Sequence, residues 1–154
     1  MDEKIIFTNG AFDITHSGHY NLLCYCRMLA GPYGKVVVGL DSDEKVQNDK
    51  GATRPYFNFQ EREKNLLFLN NGFAKLVDII IKFNSHEELY DLIEGLKPSC
   101  LVKGSDWEGR VVGSDLVEVK FFKRDNSFST TNIVERVLQK HNIVDSKIDP
   151  FNLI

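Results

Sequence analysis

Two histidines lie three positions apart at the start of a segment with helical spacing. His16 and His19 follow a β-branched run that ends in Asn9-Gly10, and Gly18 lies between them. Side chains three apart at the start of a helix share one side of it. A helix N-terminus also offers unpaired N–H groups and a partial positive charge, which bind anions. Two imidazoles there could donate to phosphoryl oxygens and stabilise the charge that develops in phosphoryl transfer.

Other interpretations of this histidine pair remain open. One imidazole could cap the helix while the other is solvated. A zinc site would need further ligands, and His86 and His141 fall in unrelated helical segments. We therefore expect no protein-held metal.

Short β-branched runs alternate with amphipathic stretches along the chain. Strands are predicted at 4–8, 35–40, 76–81, 99–103 and 116–122, and helices at 18–29, 59–69, 86–96 and 130–141. Ser85 and Glu88 form a predicted capping box for the helix at 86–96. The alternation predicts an α/β fold, a parallel sheet with helices on both faces. Ligands of such folds bind beyond the carboxyl ends of the strands.

Polar residues follow several of these strands, and each allows more than one role. Asp13 could orient an acceptor or bind Mg²⁺ through water, and Asp43 could do similar work or cap the helix after it. Trp107 could stack on a base or cover the end of the sheet. Lys103 ends a strand at the ligand edge, although a terminal lysine is often simply exposed.

A basic stretch lies between the second strand and the next helix. Lys50 and Arg54 could form a solvated loop or a mobile loop that closes over a triphosphate. Arg62 falls in a helical pattern and could pair with Glu61 or Glu63.

Composition narrows the class of protein. The chain has 154 residues, a net charge of -3 and three cysteines. No apolar run is long enough to cross a bilayer and no leader is recognisable, so we expect a cytoplasmic protein with no membrane partner. The slight acidity argues against a nucleic-acid partner. We expect a single domain at 1–144 and a loose tail at 145–154.

Residues 8–19 resemble the first signature of the cytidylyltransferase-like nucleotidyltransferases, whose hallmark is a His-x-Gly-His tetrapeptide after the first strand. Three further stretches agree in order: 50–62 with Lys50-Gly51, Arg54-Pro55 and Glu61-Arg62, then Lys103-Gly104-Ser105-Asp106, then Phe128-Ser129-Thr130-Thr131. The resemblance implies a Rossmann-like three-layer α/β/α sandwich with a five-stranded parallel sheet. It also implies that a substrate phosphate attacks the α-phosphorus of a nucleoside triphosphate and that pyrophosphate leaves, with no protein nucleophile.

The same resemblance implies a role for each matching residue. The catalytic residues would be His16, His19, Lys50 and Arg62. The nucleotide would contact Asn9, Gly10, Ala11, Phe12, Gly18, Lys103, Gly104, Asp106, Ser129, Thr130 and Thr131. The acceptor would contact Asp13, Asp43, Arg54 and Trp107. The Ser-Thr-Thr run could instead serve only as a helix cap. Mg²⁺ bound through the triphosphate and a homodimer are also implied.

Two branches of the family share features with this chain. Residues 111–117 with 128–131 resemble the adenylyltransferases of the ADP-heptose synthase type, whereas 106–109 with Arg124 resemble the glycerol-3-phosphate cytidylyltransferases. The first likeness covers more positions, so we expect transfer of a nucleoside monophosphate from ATP to a heptose 1-phosphate-like sugar phosphate. The alternatives are CTP with a glycerol phosphate, or a non-catalytic nucleotide-binding module. A dinucleotide dehydrogenase would need Gly-x-Gly-x-x-Gly after the first strand, which is absent.

Overall fold

The protein is a parallel α/β sandwich in a computed structural model that describes residues 3–70, 72, 74–125, 127 and 129–141. Its strands are β1 (Ile5–Gly10), β2 (Lys35–Asp41), β3 (Ile79–Phe83), β4 (Cys100–Gly104) and β5 (Val119–Phe122). Its helices are α1 (Ser17–Ala30), α2 (Asp43–Lys50), α3 (Phe59–Phe68), α4 (His86–Leu96) and α5 (Thr130–Lys140), with a 3-10 turn at Ser105–Trp107. The strands pair in parallel in the order β3-β2-β1-β4-β5. The predicted five-stranded parallel sheet is confirmed.

Helices cover both faces of the sheet because alternate strand residues point to opposite sides. On one face, Leu23 of α1 and Leu66 of α3 pack with Val38 and Leu40 of β2. On the other face, the core joins α4 to the centre of the sheet through Leu89, Ile93, Phe7, Val37 and Leu101. These layers fix the carboxyl ends of β1, β2 and β4 beside one another.

Two strands begin later than their apolar runs predict. Leu76 and Val77 are buried, but both backbone N–H groups donate to Asn70 Oδ1, which replaces ladder bonding. Leu116 and Val117 likewise donate to the carbonyl of Gly113 in a turn. Burial therefore explains the apolar runs, while side-chain and turn hydrogen bonds delay the start of β3 and β5.

Helix starts also differ in detail from the sequence prediction. Ser42, not Asp43, caps α2 by accepting the N–H of Lys45. Ser85 caps α4 as predicted, but the Glu88 carboxylate accepts the N–H of Asn84 and does not complete a capping box. The predicted tail at 145–154 lies outside the described residues. Within the described residues, no helix has the length and apolar character that crossing a membrane requires.

Candidate active site

The histidine pair lies at the N-terminus of α1, as its spacing predicts. The His16 and His19 rings stack with 3.8 Å between their centroids. His16 is also the N-cap, because its Nδ1 accepts the N–H of Gly18 at 3.0 Å. His19 Nδ1 accepts the N–H of His16 at 3.3 Å, which closes a reciprocal capping box. The sequence left open whether one imidazole caps the helix or both lie on the same side of it. In the structure His16 caps α1 and the two rings also lie together.

These backbone contacts fix the tautomers of the two rings. An imidazole that accepts at Nδ1 carries its proton on Nε2 when it is neutral. Burial lowers the pKa of His16, with the positive charge of Arg124 adding to it. Burial also lowers the pKa of His19 to about 3, reinforced by His16, Arg124 and Lys50. Both rings are therefore neutral at pH 7 and present an N–H donor at Nε2.

His16 Nε2 is buried and has no hydrogen-bond partner in the part of the chain that the structure describes. A buried donor without a partner is costly in a folded protein. A phosphoryl oxygen is an acceptor that would satisfy it.

Basic side chains gather around this pair. Lys50 is the last residue of α2, not a member of the loop that its sequence suggests. Burial lowers the pKa of Lys50, and the nearby Arg54 lowers it further. Arg124 forms an ion pair with Asp106 at 3.3 Å. The site is therefore rich in positive charge, which suits a polyphosphate ligand.

Asp13, for which an acceptor or Mg²⁺ role is predicted, accepts hydrogen bonds from within the protein in this structure. It is 2% exposed. Its Oδ2 accepts from Arg54 Nε at 3.0 Å and from the Tyr56 N–H at 2.8 Å. Its Oδ1 accepts the Phe57 N–H at 3.0 Å. Arg54, 5% exposed in this pair, lies in the irregular segment between α2 and α3 with its side chain buried against Asp13.

Arg62 joins three segments of the fold by hydrogen bonds in this structure, whereas the family resemblance implies a contact with a phosphate of the nucleotide. Its side chain has no exposed surface. Its guanidinium donates to the Ala11 carbonyl, the Phe57 carbonyl and Asp43 Oδ1, at 2.7, 3.0 and 2.7 Å. Asp43, predicted to contact the acceptor, is the ion-pair partner of Arg62. The three bonds tie the end of β1 to α2 and α3.

Lys103 is buried at the carboxyl end of β4, not exposed as a terminal lysine often is. Its Nζ donates to the Asn9 carbonyl at 2.9 Å and lies 4.5 Å from the centroid of the Trp107 ring. Burial lowers its pKa to about 8. Trp107 is 41% exposed, so one part of the indole remains available to a ligand.

Close contacts and an unusual backbone conformation mark two residues in the turns of the site, Gly104 and Phe12. A Cβ on Gly104 would lie 2.6 Å from Asp106 Oδ1. Phe12 adopts a positive φ of 49°, and its ring lies 5.1 Å from that of His19. Gly10 ends β1, and Ala11 links the strand to this turn. Of the predicted nucleotide residues of the first loop and the start of α1, Phe12 and Gly18 therefore contact the histidine pair.

The start of α5 is joined to the same edge. Ser129 caps α5 by accepting the Asn132 N–H at 3.0 Å. The Thr130 hydroxyl donates to the carbonyl of Asp13. Thr131 follows in the first turn and is half-buried. The capping alternative for the Ser-Thr-Thr run is present in the structure, and the Thr130 bond ties the start of α5 to the loop before α1. Phe128 lies outside the described residues.

The end of β2 and the first turn of α2 add two buried charges for which the sequence predicts no role. Asp41 and Lys45 are each 6% exposed. Lys45 Nζ lies 2.5 Å from Asp49 and 3.9 Å from Asp41 Oδ2. The position of Asp41 directly after a buried strand is the signal that points to it.

No group of three or more histidine, cysteine or carboxylate side chains suitable for a metal is found within the described residues. Cys24, Cys26 and Cys100 are free thiols.

Comparison with known proteins identifies the family. The family model described as "Cytidylyltransferase-like" matches residues 7–136. The bifunctional protein HldE of Aliarcobacter butzleri is 41% identical over 140 residues, 89% of this chain and 27% of that protein. The HldE proteins of Campylobacter concisus and Helicobacter pylori are 41% and 37% identical, over 91% of this chain and 28% and 29% of theirs. This chain thus spans little more than a quarter of these relatives' length.

A solved structure shares the fold. The crystal structure titled as a macrolide-efflux protein from Streptococcus pneumoniae superposes with a TM-score of 0.60 at 20% identity. It covers 90% of this chain and 53% of the other. The family match, the likeness to HldE proteins and the histidine pair agree: this chain belongs to the cytidylyltransferase-like family and is a nucleotidyltransferase.

Proposed function

We propose that this chain transfers AMP from ATP to a sugar phosphate of the heptose 1-phosphate type and releases pyrophosphate. The observation that carries the proposal is the stacked His16–His19 pair with both Nδ1 atoms held by backbone N–H groups. The identity of about 40% to HldE proteins supports the adenylyl and sugar-phosphate branch of the family.

The reaction needs no covalent bond to the protein. An oxygen of the acceptor phosphate forms a bond to the α-phosphorus of ATP, the bond from that phosphorus to the bridging oxygen breaks, and pyrophosphate leaves with the electron pair. The Nε2–H groups of His16 and His19 would donate to phosphoryl oxygens as negative charge shifts toward pyrophosphate. Lys50 and Arg124 would supply positive charge around the same oxygens.

The donor set fits Mg²⁺ that arrives on the triphosphate. Asp13 is occupied by Arg54 and backbone donors, and the remaining charges near the histidines are mostly cationic. Mg²⁺ commonly keeps several waters and binds through substrate phosphates with few protein ligands. Bound in this way, it would neutralise part of the triphosphate charge.

A second candidate is transfer from CTP to a glycerol phosphate. It is favoured by Asp106 and Arg124, which belong to that branch's motif and form an ion pair at 3.3 Å beside Trp107. The acceptor and the base distinguish the two candidates.

Pyrophosphate release tests the proposal directly. ATP, CTP, GTP and UTP would each be combined with heptose 1-phosphates, other sugar 1-phosphates and glycerol 3-phosphate in the presence of Mg²⁺. Release with ATP and a heptose phosphate is the expected result, and EDTA should abolish it. Release with CTP and glycerol phosphate would establish the second candidate. No release from any pair, with nucleotide binding intact, would favour a binding module.

A further inference from the structure

Asp41 is a buried carboxylate, and one of its two oxygens lacks a hydrogen-bond donor within the part of the chain that the structure describes. It ends β2, and its side chain is 9% exposed. Its Oδ1 has no hydrogen-bond partner among the described residues. The nearest cation, Lys45 Nζ, lies 3.9 Å from Oδ2 and is held more closely by Asp49. Since a carboxylate can accept several hydrogen bonds, most of its accepting capacity is unused.

Asp41 lies at the edge of the sheet where the site is built. Leu40, one residue before it, is in register with Gly10 of β1. Its charge acts on Lys103, which bonds the end of β1, and on Lys50, which in turn acts on His19. Asp41 therefore lies on the β2 side of the histidine pair and within the same electrostatic neighbourhood.

The surroundings of Asp41 favour one kind of ligand group. Three ammonium groups, on Lys45, Lys50 and Lys103, act on this carboxylate. They oppose the approach of a divalent cation or a ligand amine, while the carboxylate itself repels a phosphate oxygen. A neutral hydroxyl can donate to the carboxylate and accept from a neighbouring ammonium, so it suits both charges.

We propose that Asp41 is a specificity-determining residue that accepts a hydrogen bond from a hydroxyl of the acceptor sugar. In this arrangement the phosphates lie at the histidine pair and the polyol part of the acceptor extends toward the end of β2. The inference rests on the proposed function, because it requires a polyhydroxylated acceptor.

The test pairs protein variants with altered acceptors. Wild type, Asp41→Ala, Asp41→Asn and Asp49→Asn would be assayed with ATP and heptose 1-phosphate or its singly deoxygenated derivatives. Asp49→Asn is the matched control, because it removes a carboxylate from the same lysine at a position 40% exposed. Circular dichroism and ATP affinity would show that each variant is folded and binds nucleotide.

Asp41→Ala should lower kcat/KM for the sugar phosphate roughly 10- to 100-fold, the usual effect of losing a charged hydrogen bond. Asp41→Asn, which keeps one accepting oxygen, should lose less. At a pH well below the pKa of Lys103, where that lysine keeps its charge, ATP affinity should change less than about twofold in both variants. One deoxygenated acceptor should show a similar loss with wild type and no further loss with Asp41→Ala.

Each contrary outcome has a separate meaning. If no deoxygenated acceptor is discriminated by wild type, or if Asp41→Ala discriminates as wild type does, the hydroxyl contact is wrong while the proposed function stands. Equal kinetics for Asp41→Ala and Asp49→Asn would also overturn it. If wild type releases no pyrophosphate with any sugar phosphate, the proposed function fails and the inference fails with it.

Discussion

At the scale of single residues, the histidine pair makes the sharpest prediction. His16→Ala or His19→Ala should lower kcat by roughly 10² to 10³, because each removes one donor to the transition state. Steady-state pyrophosphate release would measure this. His86→Ala, an exposed histidine at the start of α4, is the matched control. An unchanged kcat would remove that histidine from the mechanism.

His16 also caps α1, so its substitution has a structural cost that must be separated from catalysis. Losing an N-cap costs about 1 kcal/mol of folding free energy. Urea unfolding of His16→Ala should show a loss of this size, too small to unfold a typical domain. If His16→Ala does not fold, its kcat cannot be interpreted, and His19→Ala becomes the test of the histidine pair.

The pH dependence of nucleotide binding should follow Lys103 and not the histidines. Burial lowers the pKa of Lys103 to about 8, so its charge is lost as pH rises through that value, earlier than for an exposed lysine. The KM for ATP should therefore rise above about pH 8. His19, with its pKa lowered to about 3, stays neutral across this range and should add no inflection near pH 6.5.

Lys103→Arg separates this explanation from others. Arginine keeps its positive charge throughout this pH range, so the rise in KM near pH 8 should disappear in a variant that still binds ATP. Lys97→Arg, on an exposed lysine that ends α4, controls for the substitution itself. A rise that persists in Lys103→Arg would assign the inflection to another group.

At the scale of elements, the Glu61-Arg62 motif has two explanations: Arg62 either holds elements of the fold together or contacts a phosphate. The sequence predicts a phosphate contact, whereas the structure shows bonds to Ala11, Phe57 and Asp43 that join β1, α2 and α3. Arg62→Ala leaves the buried Ala11 carbonyl without this donor, and we expect a loss of about 3 kcal/mol of folding free energy. Urea unfolding would measure it, with exposed Lys64→Ala on the same helix as the control.

A stable but inactive Arg62→Ala would support the phosphate contact instead. In that case the free energy of unfolding would match that of Lys64→Ala, while kcat would fall. The free energy of unfolding and kcat, measured together, therefore separate a structural role of Arg62 from a direct contact with phosphate.

The elements were predictable from sequence to the extent that local patterns determine them. Short β-branched runs predict the five strands and helical spacing predicts four of the helices, since those patterns reflect burial along one element. Helix α2 has only Lys45 and Val46 buried, and so offers no apolar stripe. The late start of β3 depends on Asn70, which lies several residues away.

The site was predictable in its position but not in its internal pairing. His16 and His19 lie three positions apart at the start of one helix, so their spacing alone predicts that they lie on the same side of it. Asp13 and Arg54 are 41 positions apart and pair only in the folded chain. The sequence places both at the edge of the sheet where ligands are expected to bind. It does not show that the two buried side chains form an ion pair with each other.

At the scale of the whole molecule, the site is a junction of separate elements, so a ligand should stabilise the entire fold. Lys50 of α2 acts on His19 of α1, Lys103 of β4 donates to the end of β1, and Thr130 of α5 donates to the loop before α1. A ligand at 100 times its Kd stabilises the native state by about 2.7 kcal/mol. For a domain of this size, that corresponds to a rise in Tm of roughly 5 to 11 °C.

Differential scanning fluorimetry with ATP and Mg²⁺ would measure this rise, with the double variant His16→Ala, His19→Ala as the comparison. The variant should lose most of the shift, because the donors that hold the phosphates are gone while the sheet and its core remain. Exposed Met28→Ala on α1 should keep the full shift. An equal shift in the double variant would place the nucleotide away from the start of α1, and the phosphate assignment of the histidines would then be wrong.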